Sequence, residues 1–132
     1  GNDTLYGVGG DDVLMGEFGS NTLYGGRGAD AVYIGDDKAL DGVNAVDRIR
    51  DFSLDEGDII ALDDVISGFN SNSDVSDFVR IRFEGTTAVL QVNVTGDNNN
   101  FHDVVRIDSH AGLDARTLNV DDLYNKGHID LY

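Results

Sequence analysis

The chain has 132 residues, with 9 basic against 25 acidic side chains, and no cysteine or proline. A formal net charge of −16 opposes nucleic acid or an anionic membrane surface as a partner, and the lack of Cys removes disulfides and thiolate metal sites. The length suits one domain or a short repeat array with its cap, and no apolar run approaches the roughly 20 residues of a membrane-spanning helix.

Residues 1–35 repeat every nine. Asp3, Asp12, Asn21 and Asp30 share one phase, Leu5, Leu14, Leu23 and Val32 a second, and Gly7, Gly16 and Gly25 a third; Gly1, Gly10, Gly19 and Gly28 make a further matching set. The chain opens at the fourth position of the nonapeptide, the phase expected of a piece cut from a longer array, with no secretory leader at its start. In each repeat a Gly-rich turn precedes a short strand: Thr4-Leu5-Tyr6, Val13-Leu14-Met15, Thr22-Leu23-Tyr24 and Ala31-Val32-Tyr33. Side chains alternate faces in a strand, so Leu5, Leu14, Leu23 and Val32 point inward and form a thin core. Two nonapeptides close one coil, which stacks repeat one on three and two on four. The outward column of Tyr6, Met15, Tyr24 and Tyr33 reads as an aromatic ladder or a covered surface in preference to a sugar-stacking platform.

Residues 35–45 (GDDKALDGVNA) break the register and read as a loop. Residues 46–52 and 58–62 read as strands around a turn at 53–57, and 63–66 as one helical turn. A polar loop at 68–74 leads into an alternating strand at 78–83, a hairpin link at 84–87, and a returning strand at 88–94. A loop at 95–100, a strand at 104–107, and a short helix at 119–125, capped by Asn119 and ending near Gly127, complete the chain.

The Asp column with its Gly-rich turns points to calcium. This hard cation takes six to eight oxygens at about 2.3–2.6 Å. Stacked turns lie about 4.8 Å apart, so one ion can satisfy carbonyls and carboxylates from both. Asp12 and Asp30, one coil apart, make the complete pair; Asp3 and Asn21 make the weaker one, because an amide supplies oxygen without charge. Other constellations are set aside. Asn70–Asp74 has the alternating oxygens of an EF-hand start, but Ile81 stands where the closing Glu belongs. His102, His110 and His128 are scattered, and Asp55-Glu56 and Asp121-Asp122 fall in turn or cap contexts. With no phosphate loop or nucleophile motif, the chain is expected not to be an enzyme.

The first 35 residues resemble repeats-in-toxin (RTX) nonapeptides, the calcium-binding G-G-x-G-x-D-x-U-x repeat. The following VDRIRDFSLDEGDIIAL resembles the segment D-x-I-x-D-F-x-x-G-x-D-x-I-x-L that follows the roll in many such proteins. DFVRIRF, TAVLQVNV, VVRI and VDDLY resemble the C-terminal target domain of type I secreted proteins, most like that of large RTX adhesins. The resemblance implies an all-β fold: a short right-handed parallel β-roll over 1–35, continued and capped by a mainly antiparallel region with a short helix over 36–132. It implies one calcium site from Val8, Gly10 and Asp12 with Gly25, Arg27 and Asp30, and another from Gly1 and Asp3 with Gly16, Phe18 and Asn21. Gly26, Gly28 and Asp30 begin a third, which Asp51 and Asp58 are expected to close. Departures from the pattern are Val8 and Glu17 at the second Gly position, Asn21 for Asp, and a fifth repeat that fails at Ala39.

The function implied is a calcium-binding module that stays unfolded in the cytosol, passes through type I secretion machinery, and folds outside on calcium as a monomeric part of a larger cell-surface protein. Alternatives are a calcium-dependent polysaccharide-binding module, or the tail of a secreted protease, lipase or alginate-modifying enzyme.

Overall fold

The computed structural model describes residues 3–15, 19–34, 46–63, 65–66, 68–93 and 101–131. The loops expected at 35–45 and 95–100 lie outside them, as do Gly1, Gly16 and Phe18. The four repeat strands are β1 (Thr4–Tyr6), β2 (Val13–Met15), β3 (Thr22–Tyr24) and β4 (Ala31–Tyr33), on the triplets that the period selects. They fall into two facing parallel stacks, with Leu5 beside Leu23 in one and Leu14 beside Val32 in the other.

The parallel stacking continues past the repeats. Strands β5 (Asp47–Ile49) and β6 (Ile59–Ala61) form a third coil: Ile49 pairs with Leu23, and Ile60 with Val32. The triplets Asp47-Arg48-Ile49 and Asp58-Ile59-Ile60 repeat the acid-x-aliphatic order of the nonapeptides after the nine-residue spacing has ended. A fourth coil is made by β9 (His102–Ile107) and β10 (Ile129–Asp130), which place Ile107 beside Ile49 and Ile129 beside Ile60. The antiparallel part consists of β7 (Val79–Glu84), β8 (Thr87–Val92) and β9. Gly85, with φ of +61°, supplies the tight link between β7 and β8. The sheets therefore run β1-β3-β5-β9-β8-β7 and β10-β6-β4-β2.

Burial deepens down the roll. Leu5 is partly covered and Leu14 is 7% exposed, whereas Leu23, Ile60 and Ile107 are fully enclosed. Each full burial of such a side chain contributes about 1.5–3 kcal/mol, so the first coil holds itself least. One apolar cluster runs from Leu14 to Leu131. The helix α1 (Val120–Asn125) forms where expected: Asn119 Oδ1 accepts the Asp122 N–H at 2.8 Å, and Gly127 leaves the helix at φ +81°. Sequence periodicity did not mark the 3₁₀ turns at Val75–Asp77 and Ala115–Thr117, nor the two-residue β10.

Candidate metal centre

Each stacked acid or amide takes a main-chain N–H from the coil before it. Asp30 Oδ1 accepts from Asp12 N–H at 2.9 Å, and Asp58 Oδ1 accepts from Asp30 N–H at 2.9 Å. On the opposite side Asn21 Oδ1 accepts from Asp3 N–H at 2.8 Å, and Asp47 Oδ1 accepts from Asn21 N–H at 2.9 Å. The strand parity that sends each Leu or Ile inward brings these side chains to the same corner of every coil.

At the Asp12–Asp30 corner the second carboxylate oxygens are left over. Asp12 Oδ2 and Asp30 Oδ2 are buried without a hydrogen-bond partner, which costs free energy unless a cation answers them. Main-chain oxygens crowd the same place. A Cβ added to Gly7 would lie 2.5 Å from Gly25 O and 2.6 Å from Asp12 Oδ2; one on Gly25 would collide with Asp30 Oδ2, and ones on Gly26 and Gly28 with Val8 O and Gly10 O. Glycine is required there because the space belongs to oxygen. Among the described residues no three acidic or imidazole side chains converge, so the donor set is two carboxylates among carbonyls, the mixture that calcium accepts.

Burial raises the Asp30 carboxyl above the usual range; the Asp12 N–H pulls it back, and the negative charges of Asp12, Asp51 and Glu56 push it up again. Burial raises Asp58 as well, against the N–H groups of Asp30 and Ser53. The corner resists its own charge, and a divalent cation between Asp12 and Asp30 would relieve that directly.

Of the residues expected at the sites, Val8, Gly10, Asp12, Gly25, Arg27 and Asp30 are brought together. Val8 O also accepts the Arg27 N–H at 3.0 Å, and Val8 holds φ +80°, the one non-glycine at positive φ among the described residues. Asp3 is exposed, and Asn21 is buried with its Nδ2 donating to Asp47 Oδ1 at 3.1 Å. Asp51 reaches Gly25 and Gly26 through their N–H groups, at 2.8 and 2.9 Å. Asp58 stacks below Asp30, and its Oδ2 accepts the Ser53 N–H at 2.8 Å. Sequence reasoning missed three acids. Asp47 is fully buried beneath Asn21, Asp11 Oδ1 accepts the Ala29 N–H at 2.8 Å, and Glu56 Oε2 accepts the Gly28 N–H at 2.9 Å. Asp47 had a signal, the acid-x-aliphatic triplet at β5; Asp11 and Glu56 had none.

Residues 1–37 match the RTX calcium-binding nonapeptide repeat in four copies. These turns are RTX calcium-binding repeats. No curated protein sequence matches the chain, and 14 solved chains do so in structure. One is the AlgE6R3 subunit of the Azotobacter vinelandii mannuronan C5-epimerase, with TM-score 0.60 and 21% identity over 98% of this chain and 78% of that one. Another is the C-terminal domain (RV) of MpAFP, with TM-score 0.53 and 25% identity over 84% of this chain and 80% of that one. The likeness to the epimerase subunit is one of fold, and it runs through the cap as well as the RTX repeats. The RTX match assigns the ion that the Asp12–Asp30 corner accommodates.

Proposed function

We propose that the chain is a calcium-folded, non-catalytic module of a secreted protein, held unfolded where calcium is scarce and folded where it is plentiful. The observation that carries this is the pair of buried, unanswered oxygens on Asp12 and Asp30 in a coil whose own core is thin. Without a cation, stacked carboxylates repel, and the small apolar burial does not offset chain entropy. At the extracellular range of about 10⁻⁴–10⁻³ M, calcium bound only by the folded state shifts the balance. An unfolded chain suits passage through a type I channel, and an adhesin-like parent at the cell surface follows from the C-terminal motifs. The likeness to a C-terminal domain supports that placement. No described helix is long and apolar enough to cross a membrane.

The test is circular dichroism and thermal melting with calcium and with chelator. Chelator should remove β signal and lower Tm, and re-added calcium should restore both; identical spectra and Tm would sink the reading. A polysaccharide ligand draws support from the fold shared with a mannuronan epimerase subunit. Against a sugar platform, the Tyr6 and Tyr24 rings stack on one another at 4.8 Å and 9°, which covers one face of each. Calcium-dependent retention on a mannuronan column would reinstate it.

A further inference from the structure

The turn Gly25–Asp30 has every N–H accounted for, and from Gly26 onward the directions alternate. Arg27 N–H donates back to Val8 O at 3.0 Å, and Ala29 N–H to Asp11 Oδ1 at 2.8 Å, both in the first coil. The other four donate forward to the third coil. Gly25 and Gly26 reach the two Asp51 oxygens at 2.8 and 2.9 Å, Gly28 reaches Glu56 Oε2 at 2.9 Å, and Asp30 reaches Asp58 Oδ1 at 2.9 Å. The Asp58 contact repeats the one that Asp30 makes to Asp12. The Asp51 and Glu56 contacts have no counterpart in the nonapeptide pattern, where Gly25 and Asp30 stand five residues apart and Asp51 and Asp58 stand seven.

A trans peptide is planar, with its C=O and N–H pointing in opposite directions. The Gly25 carbonyl shares a plane with the Gly26 N–H, and the Arg27 carbonyl shares one with the Gly28 N–H. Asp51, by gripping Gly26 N–H from below, turns Gly25 O upward, towards the space at Gly7 that Asp12 Oδ2 also occupies. Glu56 does the same for Arg27 O through Gly28. These are the first- and third-position carbonyls that an ion held by Asp12 and Asp30 would use.

We propose that Asp51 and Glu56 close the last repeat turn in place of an ion, and so act as positioning residues that pre-set the calcium site above it. The inference rests on the calcium reading given under Proposed function. Both Asp51 oxygens are taken by amides, so the gap beneath Gly25–Asp30 needs no calcium of its own. Charge-assisted contacts of this kind are strong, and an acceptor fixed before binding spares the ion the entropy of ordering its own cradle.

The test uses the whole 132-residue chain, titrated with calcium chloride in a calorimeter, with amide exchange followed by NMR at saturating calcium. Asp51→Asn should weaken calcium binding roughly tenfold, the scale of one hydrogen bond to a charged group, and leave the number of bound ions unchanged. Exchange should quicken at the Gly25 and Gly26 amides but not at Leu90 or Val105, which a merely global loss of stability would move as well. Glu56→Gln, at an exposed contact, should weaken binding less and quicken exchange at Gly28; it carries the test should Asp51→Asn fail to fold. Unchanged affinity in the folded variants would overturn the proposal. Loss of one ion per chain in Asp51→Asn would overturn it too, by making Asp51 a ligand. Failure of the unaltered chain to bind calcium would defeat the calcium reading itself and is distinguishable from either.

Discussion

The two ends of this molecule answer their carboxylates differently. In the first two coils the strands are three residues long, Arg27 is the single basic residue before residue 35, and it is exposed. Asp30 meets the Asp12 N–H on one oxygen, and the Oδ2 atoms of Asp12 and Asp30 meet no hydrogen-bond partner. In the antiparallel half the strands are six residues long, and the acids meet arginines. Asp103 accepts from Arg82 at 2.6 and 3.2 Å and from Gln91 at 2.8 Å; Asp108 pairs with Arg48 and Arg50, and Glu84 with Arg82 and Arg106. Beneath these pairs Val89, Leu90, Val104 and Val105 are fully enclosed. One half carries its countercharge in the chain over an enclosed core, while the other holds a single basic side chain and two buried carboxylate oxygens without a hydrogen-bond partner.

Removing calcium should break this contrast hardest. In chelator, residue-resolved hydrogen exchange should show protection lost at Leu14, Leu23 and Val32 while Leu90 and Val105 keep more of theirs. Equal loss in both halves would mean that the halves are not energetically distinct. Next in size is removal of a ligand. Asp30→Ala should weaken calcium binding on the order of 100-fold, the scale of stripping one partner from a buried charge cluster. Asn21→Ala should weaken it less than about tenfold and cost stability with or without calcium, since Asn21 mainly bridges Asp3 and Asp47. Equal calorimetric effects would count against assigning the strong site to Asp12 and Asp30.

Smaller effects sharpen the comparison. Val8 is β-branched, exposed and held at φ +80°, a conformation that costs such residues about 1–3 kcal/mol. Val8→Gly should raise the stability of the calcium-bound chain by about 1 kcal/mol after the added freedom of the unfolded glycine is subtracted; a lower Tm would show that the side chain contributes packing the structure does not reveal. Smallest is acid titration of the antiparallel half. The Arg82 hydrogen bonds hold the Asp103 carboxyl below its usual range, with Gln91 assisting against the cost of burial. A depressed folded pKa contributes stability that is present above the unfolded value and disappears as pH falls through the folded one. Asp103→Asn should therefore remove a contribution of under about 1 kcal/mol at neutral pH, and its Tm should converge with that of the parent below the ordinary carboxylate range. A gap that persists at low pH would assign the effect to packing.

The division between legible and illegible features follows the range of the interactions. The nine-residue period alone placed Leu23 inward and stacked Asp30 on Asp12, because each coil closes over 18 residues of local, glycine-guided backbone. The Asn119 cap of α1 was readable for the same reason: the N–H it accepts, that of Asp122, lies three residues away. The spacings that continue the ladder, 26 residues from Asn21 to Asp47 and 28 from Asp30 to Asp58, could not be predicted from the period. Intervening loops of unequal length erase the phase while the strands still pair. Nor could composition show that β9 lies beside β5, since strand pairing across more than fifty residues is decided by which apolar edges remain uncovered once the coils have formed. The sequence by itself determined the repeat, its ion and the strongest carboxylate pair. Only the tertiary structure decided where the roll stops, that Asp51 meets its last turn through the amides of Gly25 and Gly26, and that Glu56 joins it there, because a peptide plane is oriented by whatever partner the distant chain brings against it.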